Sequence, residues 1–115
     1  MIEPNRTDQS PAEREARSRL NLLLNEPGLL RASLIHMKRR CGNPSCRCAK
    51  AKRHWHLSWY IGQSSRGRRR MKFIPEELVA EVEAWVERYR KAHALLDRVS
   101  DENWKKIVAR TKRKR

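Results

Sequence analysis

The sequence predicts a small α+β domain stapled by one structural zinc ion. A short antiparallel sheet of two to three strands packs on one long helix, with a further helix at each end. Three observations predict it: a tight cysteine cluster, an alternating apolar run just after it, and a long helical stripe beyond that. The 115-residue chain carries only three cysteines, Cys41, Cys46 and Cys48. An odd, crowded set without a CxxC pair makes a poor disulfide framework and a good metal site. Structural zinc takes four thiolate or imidazole ligands in a tetrahedron. Cys41, Cys46, Cys48 and His54 supply four, with Gly42 and Pro44 bending the chain between the first two. His56 is the rival fourth ligand, because in an extended strand it points to the same side as His54.

The remaining elements follow in order. Residues 1–9 are expected to be mobile. Ser10-Pro11-Ala12-Glu13 offers a cap, a proline in the first helical position and a glutamate three residues after the cap. That combination starts a helix over 10–25, which ends before Pro27-Gly28. Ala16, Leu20, Leu23 and Leu24 share one side of it. Residues from about 31 to 39 read as a strand carrying Leu34, Ile35 and Met37, and 41–54 form the zinc loop.

A hairpin is predicted over 54–74. Trp55, Leu57, Trp59 and Ile61 alternate with His54, His56, Ser58 and Tyr60, the mark of a half-buried strand. Gly62-Gln63-Ser64-Ser65 reads as the turn. Met71 and Phe73 are assigned to the tryptophan face beneath the helix. Arg68, Arg70 and Lys72 are assigned, with His56 and Tyr60, to the outward face. Pro75-Glu76-Glu77 opens a helix over 75–99, whose stripe is Leu78, Val82, Trp85, Val86, Tyr89, His93 and Leu96. Ser100 is read as the cap of a short helix over 101–109, carrying Trp104, Ile107 and Val108. Residues 10–108 then form a single zinc-stabilised domain, with 110–115 as a basic tail.

Charge narrows the partners. The formal net charge is +15. Residues 31–72 hold thirteen lysines and arginines and no aspartate or glutamate. Such a surface favours nucleic acid first and an acidic protein or nucleoprotein complex second. No apolar run is long enough to span a bilayer and the N-terminus lacks a signal-peptide core, so no membrane role and a cytoplasmic location are expected. The missing carboxylates also argue against a catalytic zinc, which keeps an open position beside an acid or base. The expectation is therefore no enzyme and no small-molecule substrate.

The run CGNPSCRC, a histidine six residues after its last cysteine, then LSW, a basic strand, IPEELV and WVERYR resembles a family of small uncharacterised prokaryotic proteins. The resemblance spans about Leu29 to Leu96. It implies that Cys41, Cys46, Cys48 and His54 fill the family's cysteine and histidine positions. It also implies an accessory role in mobile-element surroundings, without naming an activity. The chain departs from the pattern just after His54, where Trp55-His56 replaces the usual Gly-Pro and tyrosines. That shortening keeps His56 in contention as a ligand.

The functional expectation is sequence-tolerant binding of DNA or structured RNA through backbone phosphates. Arg68, Arg70 and Lys72 on the hairpin lead the contacts, with Arg47, Lys52 and Arg53 of the zinc loop in support. Tyr60 is available to stack on a base. The alternative is an adaptor or accessory subunit of a mobile-element nucleoprotein complex.

Overall fold

A computed structural model describes residues 8–113. The expectations for residues 1–7 and for the last two residues of the basic tail lie outside the described residues. Helix α1 covers Pro11–Asn25, strands β1, β2 and β3 cover Ser33–Arg39, His56–Ser65 and Arg68–Ile74, and helix α2 covers Val79–Arg113. Two 3-10 turns, Arg47–Ala49 and Lys52–His54, lie in the loop before β2, and a third, Glu76–Leu78, leads into α2. The fold is thus α+β with a three-stranded antiparallel sheet and a long C-terminal helix. Where the sequence reading has one domain, the contacts fall into two units: Leu30–Glu87, and α1 together with the chain from Arg88 onward.

The second of these units is held by a polar lock. The Ser10 side chain accepts from the Glu13 N–H at 3.0 Å, which caps α1, and donates to Glu102 Oε1 at 2.7 Å. Glu13 is only 1% exposed. Its carboxylate accepts from Arg17 Nε at 2.7 Å and from Lys106 Nζ at 3.0 Å, so the buried charge is paired on both oxygens. Buried charge without such partners is strongly destabilising. Ala16, Ala92 and Val99 supply the buried apolar positions.

The Arg17 guanidinium, and then the Lys106 ammonium, hold the Glu13 carboxyl below its ordinary range. Lys105 and Ser10 do the same to Glu102. A carboxyl lowered in the folded state contributes stability that is complete above its unfolded value, about 4.3. That contribution is lost as the pH falls through the lowered folded value. Melts followed by circular dichroism should therefore show the midpoint dropping below about pH 4.3. Glu13→Gln should lower the midpoint at neutral pH and flatten the acid-side decline to the part that Glu102 contributes. An unchanged acid-side decline would show that the lock carries no weight.

α2 runs unbroken through the position where Ser100 was expected to cap a new helix, and it extends into the expected tail. Serine costs a helix only a few tenths of a kcal/mol, and neither glycine nor proline occurs between Val79 and Arg113. Asn103 Nδ2 donates to the Val99 carbonyl at 2.8 Å, so the side chain follows the helix rather than ending it. The buried stripe is also shifted. Val82, Val86, Ala92 and Val99 are buried, whereas Leu78 and Leu96 of the expected stripe are exposed.

In Leu30–Glu87 the strands run in the order β1-β2-β3. Ile74, Val82 and Val86 form the core, with Leu30, Ala32, Leu34, Trp59, Ile61 and Val79 packed against them. The Leu30 N–H donates to the Trp85 carbonyl at 3.2 Å, tying the chain before β1 to α2. His36 stacks on Trp59 with ring centroids 4.0 Å apart.

Two expectations about the hairpin are corrected. Gly62-Gln63-Ser64-Ser65 is strand, and the turn is Arg66-Gly67, both with positive φ (52° and 77°). Two such residues make the tight turn whose twist matches the flanking strands. Gly62 is buried between neighbours: a Cβ there would sit 2.9 Å from Ile35 Cδ1 and 2.7 Å from the Arg69 guanidinium. Its glycine serves close packing.

The turn sets the second correction. Trp59 pairs with Ile74, Ile61 with Lys72 and Gln63 with Arg70. Directly opposed residues share a face, so odd-numbered residues of β2 go with even-numbered residues of β3. Ile74 is accordingly in the core, and Arg68, Arg70 and Lys72 lie on the Trp59 side of the sheet, exposed along its edge. Tyr60 and His56 lie on the opposite, open face with Arg69, Met71 and Phe73. β3 thus bears cations on both faces of an edge strand, a pattern that also discourages unwanted strand pairing.

No helix among the described residues is long and apolar enough to cross a membrane.

Candidate metal centre and its basic surround

The register of β1 with β2 builds the site. Arg39, the last residue of β1, pairs with His56, the first of β2. Cys41 follows two residues after Arg39, so the loop leaves one strand and returns to the other beside the same imidazole. Gly42 has φ 86°, a left-handed turn that favours glycine. Asn43 Oδ1 accepts from the Ser45 N–H at 2.9 Å and the Asn43 carbonyl from the Cys46 N–H at 3.1 Å. These bonds fold the loop so that Cys46 and Cys48 turn back toward Cys41.

One ligand atom from each of Cys41, Cys46, Cys48 and His56 lies within 4.8 Å of all the others. Cys41 Sγ is 3.5 Å from Cys48 Sγ, and Cys46 Sγ is 3.2 Å from His56 Nε2. The Cys41 N–H donates to Cys48 Sγ at 3.3 Å. The four residues are compatible with a metal site. His56, the rival, takes the place expected of His54. The 3-10 turn Lys52–His54 ends on His54, whose Nε2 accepts from Arg53 Nε at 3.3 Å, outside the cluster.

The thiols differ in character. A hydrogen bond from the Cys48 backbone, then bonds with His56 and the Cys48 thiol, pull the Cys46 pKa down to about 6. Cys48 receives the backbone hydrogen bond of Cys41, yet burial and the neighbouring thiols push it up. A metal would replace these shared protons, as thiolate ligation requires.

The basic residues expected to contact phosphates are spread over two faces and the loop. Arg68, Arg70 and Lys72 lie along the β3 edge, with Arg70 Nε donating to Gln63 Oε1 at 2.8 Å. Lys52 and Arg40 flank the Trp55 ring, at 5.4 and 5.6 Å from its centroid. Arg53 is engaged with His54, and Arg47 is exposed in its 3-10 turn. Tyr60 is half-buried on the open face, with the Arg39 guanidinium 5.4 Å from its ring centroid and the Phe73 ring in a T-shaped contact at 6.0 Å. Arg39, Arg40, Tyr60 and Phe73, with Cys46 and His56, line a hollow of ≈ 600 Å³ beside the metal cluster. Sequence neighbours alone assign Phe73 to the core. The parity of a two-residue turn is the signal that would have moved it to this face.

A family model described as Domain of unknown function (DUF6788) matches residues 12–84, more than half of the chain. No curated protein and no solved structure gives a match.

Proposed function

The chain belongs to the DUF6788 family, and we propose that this member is a zinc-stabilised protein that binds nucleic acid with little sequence preference. The observation that carries this reading is the stretch 31–72, with thirteen cations and no carboxylate. It contains the metal loop, all of β1 and β2 and most of β3. Solubility alone is served by interspersed charges of both signs; a window of one sign suits a polyanion. The phosphate contacts run along β3, where Arg68, Arg70 and Lys72 approach from one face and Arg69 from the other. Arg47 and Arg53 extend the basic surface around the loop.

Zinc is the metal that the donor set favours. Zn–S bonds of about 2.3 Å and Zn–N bonds of about 2.0 Å make tetrahedral edges of about 3.5–3.8 Å. The cluster's separations of 3.5 and 3.2 Å lie close to these. Three thiolates and an imidazole leave no open position, so the ion has a structural role and no reaction is assigned to it. Cys41, Cys46, Cys48 and His56 hold it.

The test is the salt dependence of binding to purified DNA duplex and structured RNA. Each neutralised phosphate releases condensed counterions, so log K should fall linearly with log salt at about 0.9 per contact on duplex. Binding that is absent at low salt, with zinc bound, would remove this reading. An adaptor is the second reading. A groove lined by Leu22, Leu23, Ala94 and Leu95 is flanked only by cations, Arg19, Lys91 and Arg98. Its charge suits an acidic amphipathic helix, and saturable binding of such a peptide by a chain that ignores nucleic acid would favour it.

A further inference from the structure

Resting on the nucleic-acid reading, we infer that the hollow between the metal loop and the open sheet face seats one unpaired base and its phosphate. Phe73 is the stacking surface and Arg39 and Arg40 hold the phosphate. The inference starts from a ring that the fold leaves outside. Ile74 is buried at 7% exposure while its neighbour Phe73 is 52% exposed. Phe73 lies on an edge strand in a T-shaped contact with Tyr60.

An exposed aromatic ring is common and by itself implies nothing. Here it forms part of the wall of a concave site. The ≈ 600 Å³ hollow falls in the range of about 300–1,000 Å³ typical of sites for one small ligand. That suits a single nucleoside unit and is too confined for a duplex. Its lining contains two arginines and no carboxylate, so an anion is the favoured guest. The Arg39 guanidinium already lies over the Tyr60 ring, the cation–aromatic pairing that single-strand sites use. Pairing in a duplex hides the faces of the bases within the stack, so only an unpaired base can meet Phe73 face to face. The chain before and after such a base can follow the cationic edge of β3.

The test uses the zinc-loaded chain, with oligothymidylate, oligouridylate and a DNA duplex of equal length as probes in fluorescence anisotropy. Either single strand should bind more tightly than the duplex, and the ratio of the two assigns the site to DNA or RNA. Phe73→Ala and Phe73→Leu should each weaken single-strand binding on the order of tenfold, the loss of one stacked base. Phe73→Trp should restore it. Duplex affinity and the salt slope should stay unchanged in all three variants. Unaltered single-strand affinity in Phe73→Ala, or a leucine that serves as well as phenylalanine, overturns the base seat. If salt-dependent binding persists in that case, the general reading stands and only this inference falls. If the unaltered chain binds none of the three probes, this inference falls, and if it binds no structured RNA either, both fall.

Discussion

Cys48→Ser should cost the protein its zinc and, with it, the ordered structure of Leu30–Glu87. Cys48 is the most buried of the four cluster residues, at 1% exposure, and its sulfur is fixed by the Cys41 N–H and the Cys41 thiol. The unit that carries it has a small core, built on Ile74, Val82 and Val86. A segment of this size buries too little apolar surface to be robust without a cross-link. Zinc-finger peptides gain about 10–16 kcal/mol on binding the ion, which exceeds the stability of most small domains. Metal analysis should therefore give one zinc per chain before the substitution and none after it, with the strand signal lost in circular dichroism. His56→Ala should release the metal, while His54→Ala should keep it, because His54 lies outside the cluster. A reduced, well-folded preparation with no zinc would falsify the structural role. Retention by His56→Ala with loss by His54→Ala would return the fourth position to His54.

The same cluster separates what could be read in the sequence from what could not. Cysteine spacing depends on local chain geometry alone, so Cys41, Cys46 and Cys48 were legible as one group. Ser10 and Glu13 were legible as a helix start for the same reason, since a cap involves atoms within one turn. The histidine was different. Its choice depends on the pairing of Arg39 with His56, a contact between segments seventeen positions apart. The motif can count residues but cannot show that a 3-10 turn consumes Lys52–His54.

The face of each β3 residue failed in the same way. Period-two alternation shows that neighbours point apart, while the turn decides which half meets β2. Gly62-Gln63-Ser64-Ser65 has the composition of a turn, but Gly62 is needed inside the strand, where Ile35 and Arg69 leave no room for a Cβ. α2 runs through Ser100 because serine can cap a helix yet cannot stop one already supported by packing on both sides of it. The polar lock around Glu13 had no sequence signal. A glutamate at the third helical position reads as part of a capping box, and Lys106 lies 93 positions away.

Replacing Arg68, Arg70 and Lys72 together by serine should lower the salt slope on a DNA duplex by about 2.7, three contacts at about 0.9 each. Between 50 and 200 mM salt, the wild-type chain would then lose roughly 40-fold more affinity than the variant does. The three side chains are exposed, so the fold should survive, and Gln63 loses only its Arg70 partner. A second variant with Arg39 and Arg40 replaced by serine, measured on the single strand, tests the hollow beside the loop. It should reduce the slope by less than two contacts' worth, because Arg40 also packs on Trp55 and Arg39 on Tyr60. Arg39 ends β1 on the open face, whereas Arg68, Arg70 and Lys72 lie on the other face of β3, so a strand that meets both sets rounds the sheet. A strand that does so makes the two losses additive in the slope when the variants are combined. Sequence preference should stay weak throughout, since phosphate contacts position a protein without identifying bases. Zinc content and circular dichroism must match the parent in each variant. If the folded, zinc-loaded triple variant keeps the parental slope while the Arg39, Arg40 variant loses it, the hairpin edge carries no phosphate. Binding then runs from the metal loop across the open face alone.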